Sequence, residues 1–256
     1  MPEDTSTPPS PAPRPWGFWA TIGFGLLATS AMIVVQYLVA FIFVSFTMAY
    51  STGRQAPPLQ MFERLMSDPL TLCIGMLASM PVTLGIVWLA VKRRRSWRLT
   101  DYLALRGFTL RQFVIWFLVL AGVLWTGELL LKLVGDDSGD AFIRGLLIGG
   151  RSFAPLLFAV TVAAPFIEEL LFRGFMFRGL AASRAGLTGA IVLPNLLWAS
   201  FHAQYARPTV ILLFAMGLVL GLARHFSGSV TLPLVLHAIS NAVSTISALP
   251  LDDGLN

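Results

Sequence analysis

Long apolar runs separated by short polar stretches dominate the pattern of this chain. Seven such runs lie at roughly 16–50, 70–91, 111–134, 153–180, 188–203, 209–224 and 230–249. An apolar helix of about 20 residues is long enough to cross the hydrocarbon core of a bilayer. Backbone groups in hydrocarbon must be hydrogen bonded within their own segment, and no alternating pattern indicates a barrel. The sequence therefore predicts an all-α, polytopic transmembrane helical bundle of about seven spans.

The same pattern divides the chain into three parts. Residues 1–15 are rich in Pro, Ser and Thr and have no apolar face, so we expect a disordered tail. Residues 16–150 hold N-terminal transmembrane helices, and residues 151–250 hold the polar motifs that indicate a catalytic core. The run at 16–50 exceeds the roughly 7–15 residues of a signal-peptide core, so we expect an uncleaved first span.

Composition supports lipid as the main solvent. Hydrophobic residues make up 56% of the 256 residues and charged residues 12%, where a soluble domain carries about 25% charged residues. The net charge of +5 arises largely from a juxtamembrane segment, KRRRSWR at 92–98. This charge does not indicate nucleic-acid binding, because the chain lacks a polar domain that would carry such a site. Because basic loops favour the cytoplasmic side, we expect the 92–111 loop and the N-terminus there, in a multi-pass protein of the cell (inner) membrane.

Three ionisable residues lie within the segment APFIEELLFRGF at 163–174, inside the apolar run at 153–180. Charge at membrane depth is costly, so it indicates a functional site by default. Glu169 and Arg173 are four residues apart, in the favourable order for an ion pair on one helical face. Glu168, rotated by about 100°, has no such partner on its own helix and is the better candidate for a general base. A structural charge cluster that holds helices together is the alternative interpretation.

Two further polar pairs follow on later apolar runs. Trp198 and His202 in WASFH, and His237 and Asn241 in HAISN, are each four residues apart, so each pair would share one helical face. His237 and Asn241 can donate two hydrogen bonds toward one point, as a developing oxyanion requires. A lone polar residue in a buried helix is more often structural, but two of the chain's three histidines occupy these positions. We therefore expect a polar cavity among the C-terminal helices.

Together these motifs carry a resemblance to a known family. The series E-E-x-x-x-R, aromatic-x-x-x-H and H-x-x-x-N on successive helices resembles the CAAX-protease and bacteriocin-processing family of intramembrane glutamic endopeptidases, over roughly 153–249. The resemblance implies that Glu168 activates a water, that His202 binds and orients this water, and that His237 and Asn241 stabilise the oxyanion.

The resemblance also implies supporting residues. Glu169 and Arg173 would support the site, and Trp198 would do so in the place where many members have Phe. Since both side chains are aromatic, we expect little consequence from this difference.

The implied reaction is acid–base hydrolysis of a peptide bond with neither a covalent intermediate nor a cofactor. The partners would be the lipid bilayer and a membrane-associated, prenylated or otherwise lipidated protein or peptide. No G-x-S-x-G segment is present, and Cys73 lies far from the motifs, which argues against a serine or cysteine protease.

Three alternatives stay open. A zinc-dependent hydrolase could use Glu168, His202 and His237 as ligands, but it is disfavoured because the chain has no H-E-x-x-H motif. A non-catalytic scaffold or immunity-type protein could keep the same fold. A proton-coupled transporter is disfavoured because no inverted repeat is visible.

The run at 188–203 raises a geometric problem. A straight crossing would place His202 and Glu168 at different depths, although one water must reach both. This run is short and contains Pro194 and Asn195. We therefore expect a bent or partial crossing around a water-filled cavity, where irregular backbone is tolerated.

Overall fold

A computed structural model describes residues 13–50, 57, 59–60, 68–148 and 153–249. Regular structure within these residues is entirely helical, which confirms the all-α prediction. Residues 1–12 of the expected tail lie outside the described residues, and residues 13–17 have no regular structure. In chain order the helices are α1 (Phe18–Tyr50), α2 (Pro69–Lys92), α3 (Leu99–Leu103), α4 (Leu110–Val134), α5 (Ser138–Ile148), α6 (153–181), α7 (Gly186–Ser200), α8 (Arg207–Ser227) and α9 (Thr231–Ser247).

Most of the predicted spans are long helices. By length and composition, five helical segments among the described residues can cross a membrane: Phe18–Tyr50, Pro69–Lys92, Leu110–Val134, Ala154–Ala181 and Arg207–Ser227. Helices α7 and α9 have 15 and 17 residues, or about 22 and 26 Å, which is less than the roughly 30 Å hydrocarbon core. The protein is thus an integral membrane protein, and seven crossings stay a prediction.

Local sequence signals fix several helix ends. The Asp68 side chain accepts a hydrogen bond from the Thr71 N–H at 2.8 Å and caps α2, whose first residue is Pro69. Thr109 and Gln112 form a reciprocal capping box at the start of α4. The short helices α3 and α5 differ from the sequence predictions, because five and eleven residues are too few to show a clear period.

Helix α6 lies at the centre of the bundle. Every residue from 169 to 177 is buried, with α1, α2, α7, α8 and α9 packed around this stretch. By contrast, α4 exposes large apolar side chains such as Leu133 and Trp125. The polar residues of α6 therefore face protein, whereas the periphery presents an apolar surface suited to lipid.

The backbone of α6 alternates between α and π geometry. Its π-helical turns are Ala159–Ala163 and Glu169–Met176, and α-helical turns precede, separate and follow them. π-helical turns are rare in proteins, and those that occur often lie at functional sites. Pro165 follows the first π turn and contributes no N–H to the helix. The two glutamates lie where the helix enters its second π-helical stretch.

Candidate functional site

A buried ion pair forms the base of the site. Arg173 Nη1 lies 2.8 Å from Glu169 Oε1, and both side chains are almost completely buried. The ion pair predicted from their spacing is therefore present. His237 Nδ1 lies 2.9 Å from the same carboxylate oxygen. An ionised carboxylate only accepts, so the imidazole donates its Nδ1–H to Glu169, and this bond fixes the orientation of the ring.

Glu168 finds its partners on other helices. Its Oε2 accepts a hydrogen bond from Trp198 Nε1 of α7 at 2.5 Å and lies 3.9 Å from His237 Nε2 of α9. The Glu168 side chain is 18% exposed, while that of Glu169 is fully buried. The two adjacent carboxylates therefore differ in environment: Glu169 lies in a buried ion pair, and Glu168 is partly exposed.

The Trp198 indole makes a contact that its aromatic character alone did not predict. Phe offers the same aromatic character, so the difference from many family members was expected to matter little. The structure shows instead that the indole N–H donates to Glu168, and Phe has no such donor.

His202 lies just beyond the end of a helix. The predicted span at roughly 188–203 is a helix that ends at Ser200, so His202 follows the last helical residue by two positions. The N–H groups of Phe201 and His202 instead bond to carbonyls three residues earlier, at 3.2 and 3.0 Å, so the last helical turn tightens. The His202 ring nevertheless packs on Trp198, with centroids 4.7 Å apart.

The hydrogen bond of His202 defines which ring nitrogen is available. Its Nδ1 lies 3.0 Å from the Trp198 carbonyl oxygen. A carbonyl only accepts, so Nδ1 carries the proton and, in the neutral ring, Nε2 is an acceptor. This tautomer suits a residue that accepts a hydrogen bond from water.

Tyr205 is a site neighbour that sequence reasoning missed. Its ring stacks on His202 with centroids 6.1 Å apart, and it meets the Phe142 ring of α5 edge-on with centroids 5.4 Å apart. Burial raises the pKa of the Tyr205 phenol, and the charge of Glu168 adds to this rise. Its position three residues after His202 was the available signal, but nothing in the sequence shows that the chain turns there.

A hydrogen-bonded contact between two loops holds this turn in place. Asp136 Oδ2 accepts from the N–H and the hydroxyl of Thr209, at 3.0 and 2.9 Å. Ser138 Oγ accepts from the Ala206 N–H at 2.9 Å. Hydrogen bonds from Ser138, and then from Thr209, lower the pKa of Asp136. The chain after α4 thereby anchors the start of α8 and the preceding turn.

Asn241 contacts the backbone of α6. Its Nδ2 donates to the Val160 carbonyl at 2.9 Å. The Ala164 N–H bonds to the Ala159 carbonyl, five residues earlier. In the same pattern the Val160 carbonyl would accept from the N–H of residue 165, but Pro165 has none. Asn241 thus satisfies a carbonyl that the proline leaves unpaired, and its amide retains a second N–H for another acceptor.

Arg173 is also held from α7 and α8 by residues that sequence reasoning did not assign. Its Nη2 lies 3.5 Å from Asn195 Oδ1 and 3.4 Å from the Gly217 carbonyl. Asn195, almost fully buried, donates to the Phe214 carbonyl at 2.8 Å. The rule that polar residues at membrane depth mark sites could have identified Asn195, although the sequence does not name its partner.

The structure thus brings together most of the predicted site. Direct contacts link Glu168, Glu169, Arg173, Trp198, His202 and His237, whereas Asn241 bonds to the backbone of α6. Across the residues that the structure describes, no three His, Cys, Asp or Glu side chains converge as a metal-binding group. The arrangement of Glu168, His202 and His237 therefore does not fit the three-ligand site that the zinc alternative requires.

Known families place these motifs in context. The family model described as type II CAAX prenyl endopeptidase Rce1-like matches residues 150–243. This region is Rce1-like. The match contains all seven predicted site residues and confirms the family resemblance.

The Rce1-like region also has a curated relative. An uncharacterized 24.3 kDa protein of Escherichia coli is 39% identical over 85 residues, which is 32% of this chain. The chain covers 38% of the length of that protein. No solved structure matches the chain significantly.

Proposed function

We propose that the protein is an intramembrane endopeptidase in which Glu168 activates a water for attack on a peptide carbonyl. The observation that carries this proposal is the placement of Glu168 Oε2, 2.5 Å from Trp198 Nε1 and 3.9 Å from His237 Nε2. Glu169 is held by Arg173 at 2.8 Å and is not available as a base. The Rce1-like match supports a peptidase.

His237 lies between the two glutamates. Its Nδ1 donates to Glu169, and its Nε2 lies 3.9 Å from Glu168 Oε2. A ring that is protonated on both nitrogens would also present an Nε2–H beside Glu168. As the carbonyl oxygen becomes negative, this N–H and the second N–H of Asn241 are the donors that stabilise it.

The proton transfers then follow from the geometry. Glu168 takes one proton from the water as the water oxygen bonds to the carbonyl carbon. His202 Nε2 accepts a hydrogen bond from the other O–H of that water. The C–N bond breaks as Glu168 returns the proton to the leaving amine. This route needs neither a covalent intermediate nor a cofactor, and the partial exposure of Glu168 supports access of a water to it.

The proposed substrate is a membrane-associated or lipidated protein or peptide. A site centred on a buried helix of a membrane protein favours a chain that approaches within the bilayer. The basic 92–111 loop supports placing this loop and the N-terminus in the cytoplasm. A cell (inner) membrane location is part of the same proposal.

The direct test uses the full chain purified in detergent. Wild type, Glu168→Gln and His202→Ala are incubated with quenched peptide libraries, lipidated and unlipidated, with and without a strong chelator. We expect wild type to cleave in both conditions and both variants to lose cleavage. Equal cleavage by all three proteins would contradict the proposal. Loss of wild-type cleavage with the chelator would favour the zinc alternative, and a wild type that cleaves nothing would favour the scaffold.

A further inference from the structure

One aromatic side chain contacts four ionisable residues of the site. The Trp198 indole donates to Glu168, and the Arg173 guanidinium carbon lies 5.0 Å from the centre of its ring. The rings of His202 and His237 pack on it with centroids 4.7 and 5.6 Å away. Trp198 is only 2% exposed, so it occupies one fixed position among these groups.

The hydrogen bond to Glu168 sets Trp198 apart from a packing residue. Hydrogen bonds to a charged acceptor are stronger than those between neutral groups, and the Trp198 indole makes such a bond to the Glu168 carboxylate. A Phe ring could keep the stacking contacts but could not make this bond. The N–H engages only one carboxylate oxygen, Oε2, and does not bond to Oε1.

We propose that Trp198 is a positioning residue that orients Glu168 and stabilises its ionised form, an inference that rests on the proposed function. The bond between the indole and Oε2 limits rotation of the carboxylate, so that Oε1 receives the proton. An indole N–H favours a carboxylate over a carboxylic acid without adding charge to the site. Trp198 therefore keeps Glu168 ready to act as a base.

Other ionisable groups of the site lie near the bond between Trp198 and Glu168. Arg173 and His237 bond to Glu169, and His237 Nε2 lies 3.9 Å from Glu168 Oε2. On α6, α9 and the turn after α7, the ionisable groups of the site are Glu169, Arg173, His237, His202 and Tyr205. Because a change at Trp198 leaves the charge of all five unaltered, an effect on the pH profile would report the lost hydrogen bond.

The kinetic test compares Trp198→Phe with wild type over a range of pH. Loss of a hydrogen bond to a charged group lowers kcat/KM by about 10- to 100-fold. Ionised Glu168 also loses a donor, so the acid limb of the kcat/KM profile moves to higher pH by about one pH unit. The matched control is Trp125→Phe, because Trp125 lies on α4 and is 72% exposed; its profile stays that of wild type. An acid limb of Trp198→Phe that coincides with wild type would overturn the proposal.

A second variant separates the bond from the shape of the ring. Replacing Trp198 by 3-benzothienylalanine keeps a bicyclic ring and removes only the N–H, so the same shift of the acid limb is expected. Normal kinetics in this variant would show that Trp198 acts through packing and would overturn the positioning role.

A spectroscopic measurement tests the contact without turnover. With ¹⁵N-indole labelling, the Trp198 N–H resonance, assigned by its loss in Trp198→Phe, moves as Glu168 titrates and stops moving in Glu168→Gln. A resonance that ignores both changes would overturn the proposed bond. If this resonance responds as expected but wild type cleaves no peptide, the proposed function and the positioning role fail, whereas the contact is upheld.

Discussion

Replacing Gly217 by Ala tests how tightly α7 and α8 enclose Arg173. A Cβ atom at this position would overlap Asn195 Oδ1 and lie 2.6 Å from Asn195 Cγ and 2.9 Å from Arg173 Nη2. Both neighbours are buried, so neither can move into open space. Asn195 would have to give up its 2.8 Å hydrogen bond to the Phe214 carbonyl.

The size of the effect follows from these contacts. A buried carbonyl that loses its donor costs about 1–3 kcal/mol. Forcing a methyl group into a packed interior costs another roughly 1–3 kcal/mol, and Ala recovers about 1 kcal/mol over Gly in a helix. We therefore expect Gly217→Ala to lower the free energy of unfolding by about 1–5 kcal/mol.

Unfolding in mixed micelles, with increasing SDS, measures this free energy. Gly122→Ala in α4 is the matched control, because no atom lies within 4 Å of its added Cβ, and it should lose no stability. In Gly217→Ala/Asn195→Ala the clashing amide is absent, so the double variant should lose less than the sum of the two single variants. This reasoning would be refuted if Gly217→Ala were as stable as Gly122→Ala. It would also be refuted if the loss of stability in the double variant equalled the sum of the losses in the two single variants.

Three further predictions concern stability. Glu169→Gln leaves the Arg173 cation buried without its carboxylate and should cost about 3–5 kcal/mol in micelle unfolding; a loss below 1 kcal/mol, on the order expected for an exposed pair, would contradict a buried ion pair. Asn241→Ala leaves the Val160 carbonyl unpaired and should lower the free energy of unfolding by about 1–3 kcal/mol. Amide hydrogen exchange around 159–165 should become faster, and unchanged exchange would contradict this prediction. The hydrogen bonds that lower the pKa of Asp136 stabilise the fold above the ordinary aspartate pKa of about 3.9, and this contribution is lost as pH falls through the lower folded pKa. The stability difference between wild type and Asp136→Asn should therefore shrink on acidification, and a constant difference would refute this.

Local spacing explains what the sequence could predict. Apolar runs fix where helices form, and an i, i+4 spacing suffices for the Glu169–Arg173 pair, because both residues lie on one helix. The approach of Glu168 and His237 was predictable only through the combined motifs. Their proximity depends on how α6 and α9 pack.

Contacts between helices explain what the sequence could not predict. The partners of Asn195 lie on α6 and α8, and the carbonyl that Asn241 satisfies depends on a π turn that no residue pattern announces. The position of His202 beyond α7 likewise depends on where the chain turns toward α8. The hydrogen bond from Trp198 to Glu168 was not foreseen because the aromatic position was judged by its ring and not by its N–H.

The most direct test of the account is the kcat/KM of Glu168→Gln on a peptide that wild type cleaves. The isosteric amide cannot take a proton from water, so we expect kcat/KM to fall by at least about 100-fold while micelle unfolding shows an intact fold. Glu128→Gln, a matched change at an exposed position on α4, should retain wild-type activity. Cleavage by Glu168→Gln at the wild-type rate would contradict the central claim that this carboxylate is the general base.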